Sequence, residues 1–203
     1  NSITALRDIP GLVVGCPSRG DDAATMLRTL AALAKVDGRV SIFHEPIALY
    51  MTKDLHEAGD GEWLTTYPAP DEAMVLGEGR LYNADADDLG IFSYGNGVPM
   101  SLRAARSIEA KHGWKVDLRW LVPLNEVFIA EQAKSAKRIL IVDEGRHSAG
   151  VGEGVITAIA EAGFGGRPFQ RVVGVDTYTP LAGAAFLVLP GDDDIVAAAG
   201  RLV

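Results

Sequence analysis

The sequence holds a single cysteine and four histidines in 203 residues. It also lacks any apolar run near the roughly 20 residues that a membrane-crossing helix needs. One thiol, Cys16, excludes an internal disulfide and points to a reducing, cytoplasmic setting. Cys16 follows Leu12-Val13-Val14-Gly15, so it reads as a small buried residue at a strand end rather than as a nucleophile. His44, His56, His112 and His147 stand apart from one another and from Cys16, which excludes a zinc site of ordinary ligand spacing. Positive charge is scarce: 19 basic residues face 27 acidic ones, a net charge of −8. The acids gather at Asp85, Asp87 and Asp88 and again at Asp192, Asp193 and Asp194, as solvated loops or helix starts do. Neither cluster suits a phosphate backbone, so nucleic acid is not an expected partner. There is no Gly-x-Ser-x-Gly elbow and no basic-then-apolar leader. The chain opens on Asn1 without an initiator Met, and Ser2 to Leu6 read like the middle of a folded segment, as in a fragment.

What is present is an alternation of apolar runs and helical patterns, with 48% hydrophobic residues to fill a core. Leu12 to Gly15 is a short buried strand. Asp21 and Asp22 then open a helix whose Ala23, Met26, Leu27, Leu30 and Leu33 share one face, the acids suiting its positive end. Val40 to Phe43 is a strand, and His44 to Trp63 is irregular. Thr65 to Gly79, with Pro68 and Pro70, reads as a connector between two units. Beyond it lie a strand at Leu89 to Tyr94, a helix from Pro99 to about His112, a strand at Val116 to Leu121 and a helix at Glu126 to Lys137. Arg138 to Val142 is a continuous apolar strand, as a parallel strand covered on both faces should be. A helix at about Gly152 to Ala162, a strand at Arg171 to Val175 and a closing helix at Asp192 to Leu202, capped by one of its acids, complete the series. Such alternation gives an α/β fold with a mostly parallel sheet.

Three motifs invite a chemical reading. Gly150-Val151-Gly152-Glu153-Gly154 follows a strand and opens a helix, but about seven residues, Glu144 to Gly150, intervene, and Glu153 would oppose a phosphate. Close helix–sheet packing is the better account of these glycines. Gly59-Asp60-Gly61 has neither a preceding strand nor a matching Asn, and reads as a turn rather than a diphosphate–Mg²⁺ motif. His44-Glu45 and Glu144-Arg146-His147 are the best polar clusters, each at the carboxyl end of a strand, where α/β sheets bind ligands. A lone His beside an acid is nevertheless more often a structural pair.

The order of the segments resembles something specific. Ile9-Pro10-Gly11-Leu12-Val13-Val14, Pro17-Ser18 and Asp22-Ala23, followed by Phe43-His44-Glu45-Pro46 and Leu49-Tyr50, are similar to the later part of a pyrimidine-binding domain. Ser93-Tyr94-Gly95, Val116-Asp117-Leu118-Arg119 with Pro123-Leu124-Asn125, and Val142-Asp143-Glu144 with Gly150 and Gly152 resemble a transketolase-type C-terminal domain. Asp176-Thr177 with Pro180, Leu189-Pro190 and Asp194-Ile195-Val196 close the series. Together they look like the beta-type half of a thiamine-diphosphate-dependent 2-oxoacid dehydrogenase.

The resemblance implies residues 1–70 as the end of the pyrimidine-binding domain and 75–203 as the C-terminal domain. It implies decarboxylation of a 2-oxoacid and passage of the acyl group to a lipoyl arm. Thiamine diphosphate and Mg²⁺ would belong to the complete enzyme. The family's activating glutamate and active-site histidine fall before Asn1, so no catalytic or cofactor-binding residue is assigned here and the segment alone is expected to be inert. A structural potassium ion would fall at Ala34 and Asp37, although Arg39 stands where the family has Asn-Pro. The implied partners are an alpha-type half, a lipoyl acyltransferase and a second copy joined through the C-terminal domain. Glu144, Arg146, His147, Arg201 and Val203 are the candidate partner-facing residues. Two other readings stay open: an assembly module without catalysis, and a flavodoxin-like domain binding a small molecule at the 144–154 loop.

Overall fold

The computed structural model describes residues 3–108 and 113–202. The elements in chain order are α1 (Ile3–Arg7), β1 (Val13–Gly15), α2 (Gly20–Val36), β2 (Ser41–Phe43), β3 (Arg80–Tyr82), β4 (Leu89–Ser93) and α3 (Gly97–Ser107). They continue with β5 (Gly113–Asp117), β6 (Trp120–Val122), α4 (Glu126–Ser135), β7 (Arg138–Arg146), α5 (Val151–Ile159), β8 (Phe169–Gly174) and α6 (Asp192–Gly200). The fold is α/β. A five-stranded sheet runs in the order β3-β5-β4-β7-β8, parallel except for β3 at its edge. A three-stranded sheet runs β2-β1-β6.

Alternation along the strands decides which helices go where. In β4 and β7, Leu89, Ile91, Leu140 and Val142 face α3 and α6 through Met100, Ala104, Ile195 and Ala198. Their neighbours Phe92, Ile139 and Ile141 point the other way, onto Ile129 and Ala133 of α4 and Val151, Val155 and Ile159 of α5. Period-two side chains on a sheet clothed on both faces produce this division. The second core also takes in Leu12, Val14, Cys16 and Leu121, so the smaller sheet leans against the larger one. Val13, on the opposite face of β1, packs with Met26 and Leu30 of α2 and with Trp120.

Several sequence expectations change. The run at 116–121, read as one strand, is two: Arg119 adopts a positive φ of 58° and turns the chain from β5 in the large sheet to β6 in the small one. The edge strand β3 was not foreseen, because a three-residue segment after the proline-rich connector carries no periodic signal. Helix α3 starts at Gly97 and ends at Ser107, earlier at both ends than expected; His112 lies outside the described residues. Strand β7 continues to Arg146, so only residues 147–150 separate it from α5 rather than seven. Charged and glycine residues at its end hid that extension.

Candidate functional site

A cavity of about 360 Å³ lies between the loops that follow β1 and β2 in one sheet and the β4 loop and the end of β7 in the other. Its walls include Cys16, His44, Glu45, Tyr94, Asn96 and Glu144. The two polar clusters singled out in the sequence, around His44 and Glu144, thus meet across a sheet boundary. Gly95 makes the approach possible. Its φ is +52°, and a Cβ there would lie 2.8 Å from Cys16 Sγ and 3.1 Å from Pro46 Cγ, which only glycine avoids without strain.

The chemistry of the walls follows from their burial. Asn96 Nδ2 donates to Glu144 Oε1 at 2.7 Å. Burial raises the Glu144 carboxyl above its ordinary value against that hydrogen bond, with Asp143 adding repulsion. Burial lowers the His44 imidazole, favouring its neutral form. It pushes the Cys16 thiol well up, helped by Asp117 and Glu144, and Cys16 is 1% exposed. A protonated, enclosed thiol is a packing group, as the sequence implied. The site therefore offers hydrogen bonding and proton exchange but no activated nucleophile.

Behind the cavity, Asp143 fixes the β7–α5 connection. It is 1% exposed. Its Oδ1 accepts from Tyr94 Oη and, at 2.7 Å, from Gly145 N; its Oδ2 accepts from Gly152 N at 2.8 Å. Burial, and then Asp143, drive the Tyr94 phenol well above its ordinary value. The carboxylate occupies the N-terminus of α5, where a phosphate would have to bind. The glycines make room for packing: a Cβ on Gly152 would lie 2.9 Å from Ile141 Cγ2, and one on Gly150 would lie 2.7 Å from Asp143 Oδ2. The 144–154 loop is thereby filled from within, which argues against the flavodoxin-like reading.

The Gly59-Asp60-Gly61 segment is likewise self-contained. Asp60 accepts from the N–H groups of Leu55, His56, Glu57 and Glu62 at 2.7–3.0 Å, and these bonds hold its carboxyl well below the ordinary range. Among the described residues no group of three or more His, Cys, Asp or Glu could hold a metal ion. With the Asp60 oxygens taken and the start of α5 occupied by Asp143, neither of these two segments is open to a diphosphate.

The other sequence candidates lie apart from the cavity. His147 is exposed at the end of β7, with its carbonyl accepting from Arg171 at 2.5 Å, and Arg146 is half-buried beside it. Ala34 and Asp37 are exposed at the end of α2, where Leu33 O accepts from the N–H groups of both Asp37 and Arg39. Arg201 caps α6 and is exposed, while Val203 lies outside the described residues.

One polar cluster escaped the sequence reading as a cluster. Arg119 Nη2 pairs with Asp22 Oδ1 at 2.6 Å, and Arg80 Nη2 reaches Asp21 and Asp22 at 3.0 and 3.1 Å. Its members lie in α2, β3 and the β5–β6 turn, and no spacing along the chain links them.

Residues 77–192 match the family described as transketolase, C-terminal domain. The chain is 31% identical over 200 residues to the beta subunit of 3-methyl-2-oxobutanoate dehydrogenase from Mycobacterium tuberculosis, covering 95% of this chain and 52% of that one. It is 27% identical over 197 residues to the beta subunit of the pyruvate dehydrogenase E1 component from Staphylococcus aureus, covering 94% and 55%. A solved structure named as a split-gene transketolase, inactive beta4 tetramer, superimposes with a TM-score of 0.73 at 19% identity, covering 98% of this chain and 59% of its own. The chain thus spans just over half the length of these relatives.

Proposed function

From the premise that the chain belongs to the transketolase C-terminal domain family, we propose that it is the trailing part of the beta-type half of a thiamine-diphosphate-dependent 2-oxoacid dehydrogenase. The observation that carries this reading is the similarity to two such beta subunits over 94–95% of the chain, beginning well before the C-terminal domain match. In the complete enzyme a 2-oxoacid would lose CO₂ on thiamine diphosphate, and the acyl group would pass to a lipoyl arm. This part serves as scaffold. It joins two beta-type copies through the C-terminal domain, meets the alpha-type half and helps dock the acyltransferase, with Arg146, His147 and Arg201 as partner-facing groups, while Glu144 turns into the cavity wall, bonded to Asn96. No helix among the described residues is long and apolar enough to cross a membrane; the proposed setting is the cytoplasm.

Thiamine diphosphate supplies the carbanion chemistry when bound. The residues here would contribute by holding the two sheets in register and by presenting surfaces, because neither Asp60 nor the start of α5 is free to take the diphosphate. A second reading, assembly without catalysis, draws support from the neighbour named as an inactive tetramer. Calorimetry with thiamine diphosphate and Mg²⁺ separates them. Binding by a version extended upstream, alone or with an alpha-type partner, but not by this chain supports the dehydrogenase reading. Silence from every form leaves the assembly module.

A further inference from the structure

The buried ion cluster between α2 and the large sheet lies outside the cavity and has no part in the proposed scaffold surfaces. Asp117, in β5, is 0% exposed; Asp22, in α2, is 1% exposed; Arg119 between them is 4% exposed. Of the two enclosed carboxyls, only Asp22 is ion-paired with the Arg119 guanidinium; Asp117 meets Arg119 through its backbone N–H. Arg119 N donates to Asp117 Oδ1 at 3.2 Å, and Arg119 Nη2 binds Asp22 Oδ1 at 2.6 Å. The other oxygens, Asp117 Oδ2 and Asp22 Oδ2, are buried without a hydrogen bond of ordinary geometry among the described residues, and the buried Ser18 hydroxyl is the polar neighbour that faces Asp117.

The groups around this core come from every packed element. Arg19 and Asp21 face it from the start of α2, Arg80 and Tyr82 from β3, Glu78 from the segment before β3, and Cys16 from the end of β1. Ser93 pairs with Asp117 in the sheet register. Four carboxyls (Asp21, Asp22, Glu78, Asp117) thus meet three guanidiniums (Arg19, Arg80, Arg119). With every group ionised, one negative charge is left over, and the unbalanced carboxyl is the fully enclosed Asp117. A buried unpaired charge costs several kcal/mol, and a proton removes that cost.

We propose that the joint between α2 and the large sheet is a proton-held latch, closed by a proton on Asp117 and loosened as that proton is lost. Burial first, then repulsion from Asp22, raise the Asp117 carboxyl to about 7, against the pull of Arg119. The sign follows from linkage. The closed joint keeps a proton that the opened one releases above the ordinary aspartate value of 3.8. Opening therefore becomes easier by about tenfold per pH unit between 5 and 7, and then levels off.

The test is amide hydrogen exchange on the whole chain between pH 5 and 8, with rates corrected for their intrinsic pH dependence. Infrared spectroscopy of the same samples detects the protonated carboxyl. Protection at residues 23–26 should fall about tenfold per pH unit up to 7 and flatten above it, in step with loss of the carboxylic acid band. Asp117→Asn, which stays neutral, should show the same protection at every pH and lose the component of that band that titrates with the latch, while the Glu144 component stays. A wild type with all aspartates ionised at pH 5.5, or with pH-independent protection of α2, overturns the latch. These wild-type measurements decide the matter even if the Asn variant fails to fold.

Discussion

Removing the Asp143 carboxylate tests whether the β7–α5 connection is held by one buried acid. Asp143→Ala leaves the donors Tyr94 Oη and Gly152 N without their acceptor, and the part-buried Gly145 N as well. Each buried donor left unpaired costs about 1–3 kcal/mol, and the lost anion at the start of α5 adds about 0.3–1 kcal/mol. The variant should lose roughly 2–7 kcal/mol, a large share of the roughly 5–15 kcal/mol of an ordinary domain. Asp143→Asn keeps the shape and one acceptor. With its oxygen in the Oδ1 position it still serves Tyr94 and Gly145, losing the Gly152 bond at about 1–3 kcal/mol and the same contribution of the anion. Urea denaturation followed by far-ultraviolet circular dichroism gives the order wild type, Asn, Ala. Formate should restore part of the stability of the Ala variant and none of the Asn variant, because only the Ala variant leaves an open place for an anion at α5. An Ala variant within about 1 kcal/mol of wild type, or equal Asn and Ala losses, would refute the assignment.

Two further outcomes follow from the packing. Gly152→Ala places a Cβ 2.9 Å from Ile141 Cγ2, so the midpoint of thermal unfolding should drop by an amount matching about 1–3 kcal/mol of overpacking; the same change at Gly183, which has open space around it, should leave the midpoint unmoved. Cys16, enclosed and with a raised thiol, should react with a disulfide reagent only as fast as the protein opens. Its rate should therefore climb with sub-denaturing urea, and fast labelling in plain buffer would contradict the burial.

Legibility in the sequence tracked periodicity. Strands β1, β4 and β7 and helices α2, α4 and α5 announced themselves because both their length and their apolar spacing follow from burial on one or two faces. The closing helix was legible from its acids too, since Asp194 Oδ2 accepts from Gly191 N at 2.8 Å, capping α6. Cys16 and the packing role of the 150–154 glycines were also readable, being local consequences of a strand end and a close crossing. Strand β3 and the split between β5 and β6 were not, because three-residue strands are stabilised by neighbours remote in sequence. Half of the candidate site was visible: His44 and Glu144 were each picked out at a strand end. Their meeting was not, since it depends on the small sheet packing beside the large one, which no local pattern encodes.

The turn at Arg119 explains why that packing is stable. The backbone leaves β5 with Asp117 and enters β6 with Trp120, so two residues separate strands that belong to different sheets. Leu118 N donates to Ser93 O in the large sheet, while Arg119 O accepts from Cys16 N beside the small one. The positive φ at Arg119 is costly for a residue with a side chain. It persists because the conformation sends the guanidinium to Asp22 while the backbone on either side completes both sheets. Glycine would adopt that φ more easily but would take from buried Asp22 its partner at 2.6 Å and leave it with Arg80 alone at 3.1 Å, a loss of about 1.5–3 kcal/mol against a backbone gain of about 1. The balance favours arginine, and it places the strain at the shortest of the chain's crossings between the two sheets, beside the buried Asp117 and Asp22 carboxyls.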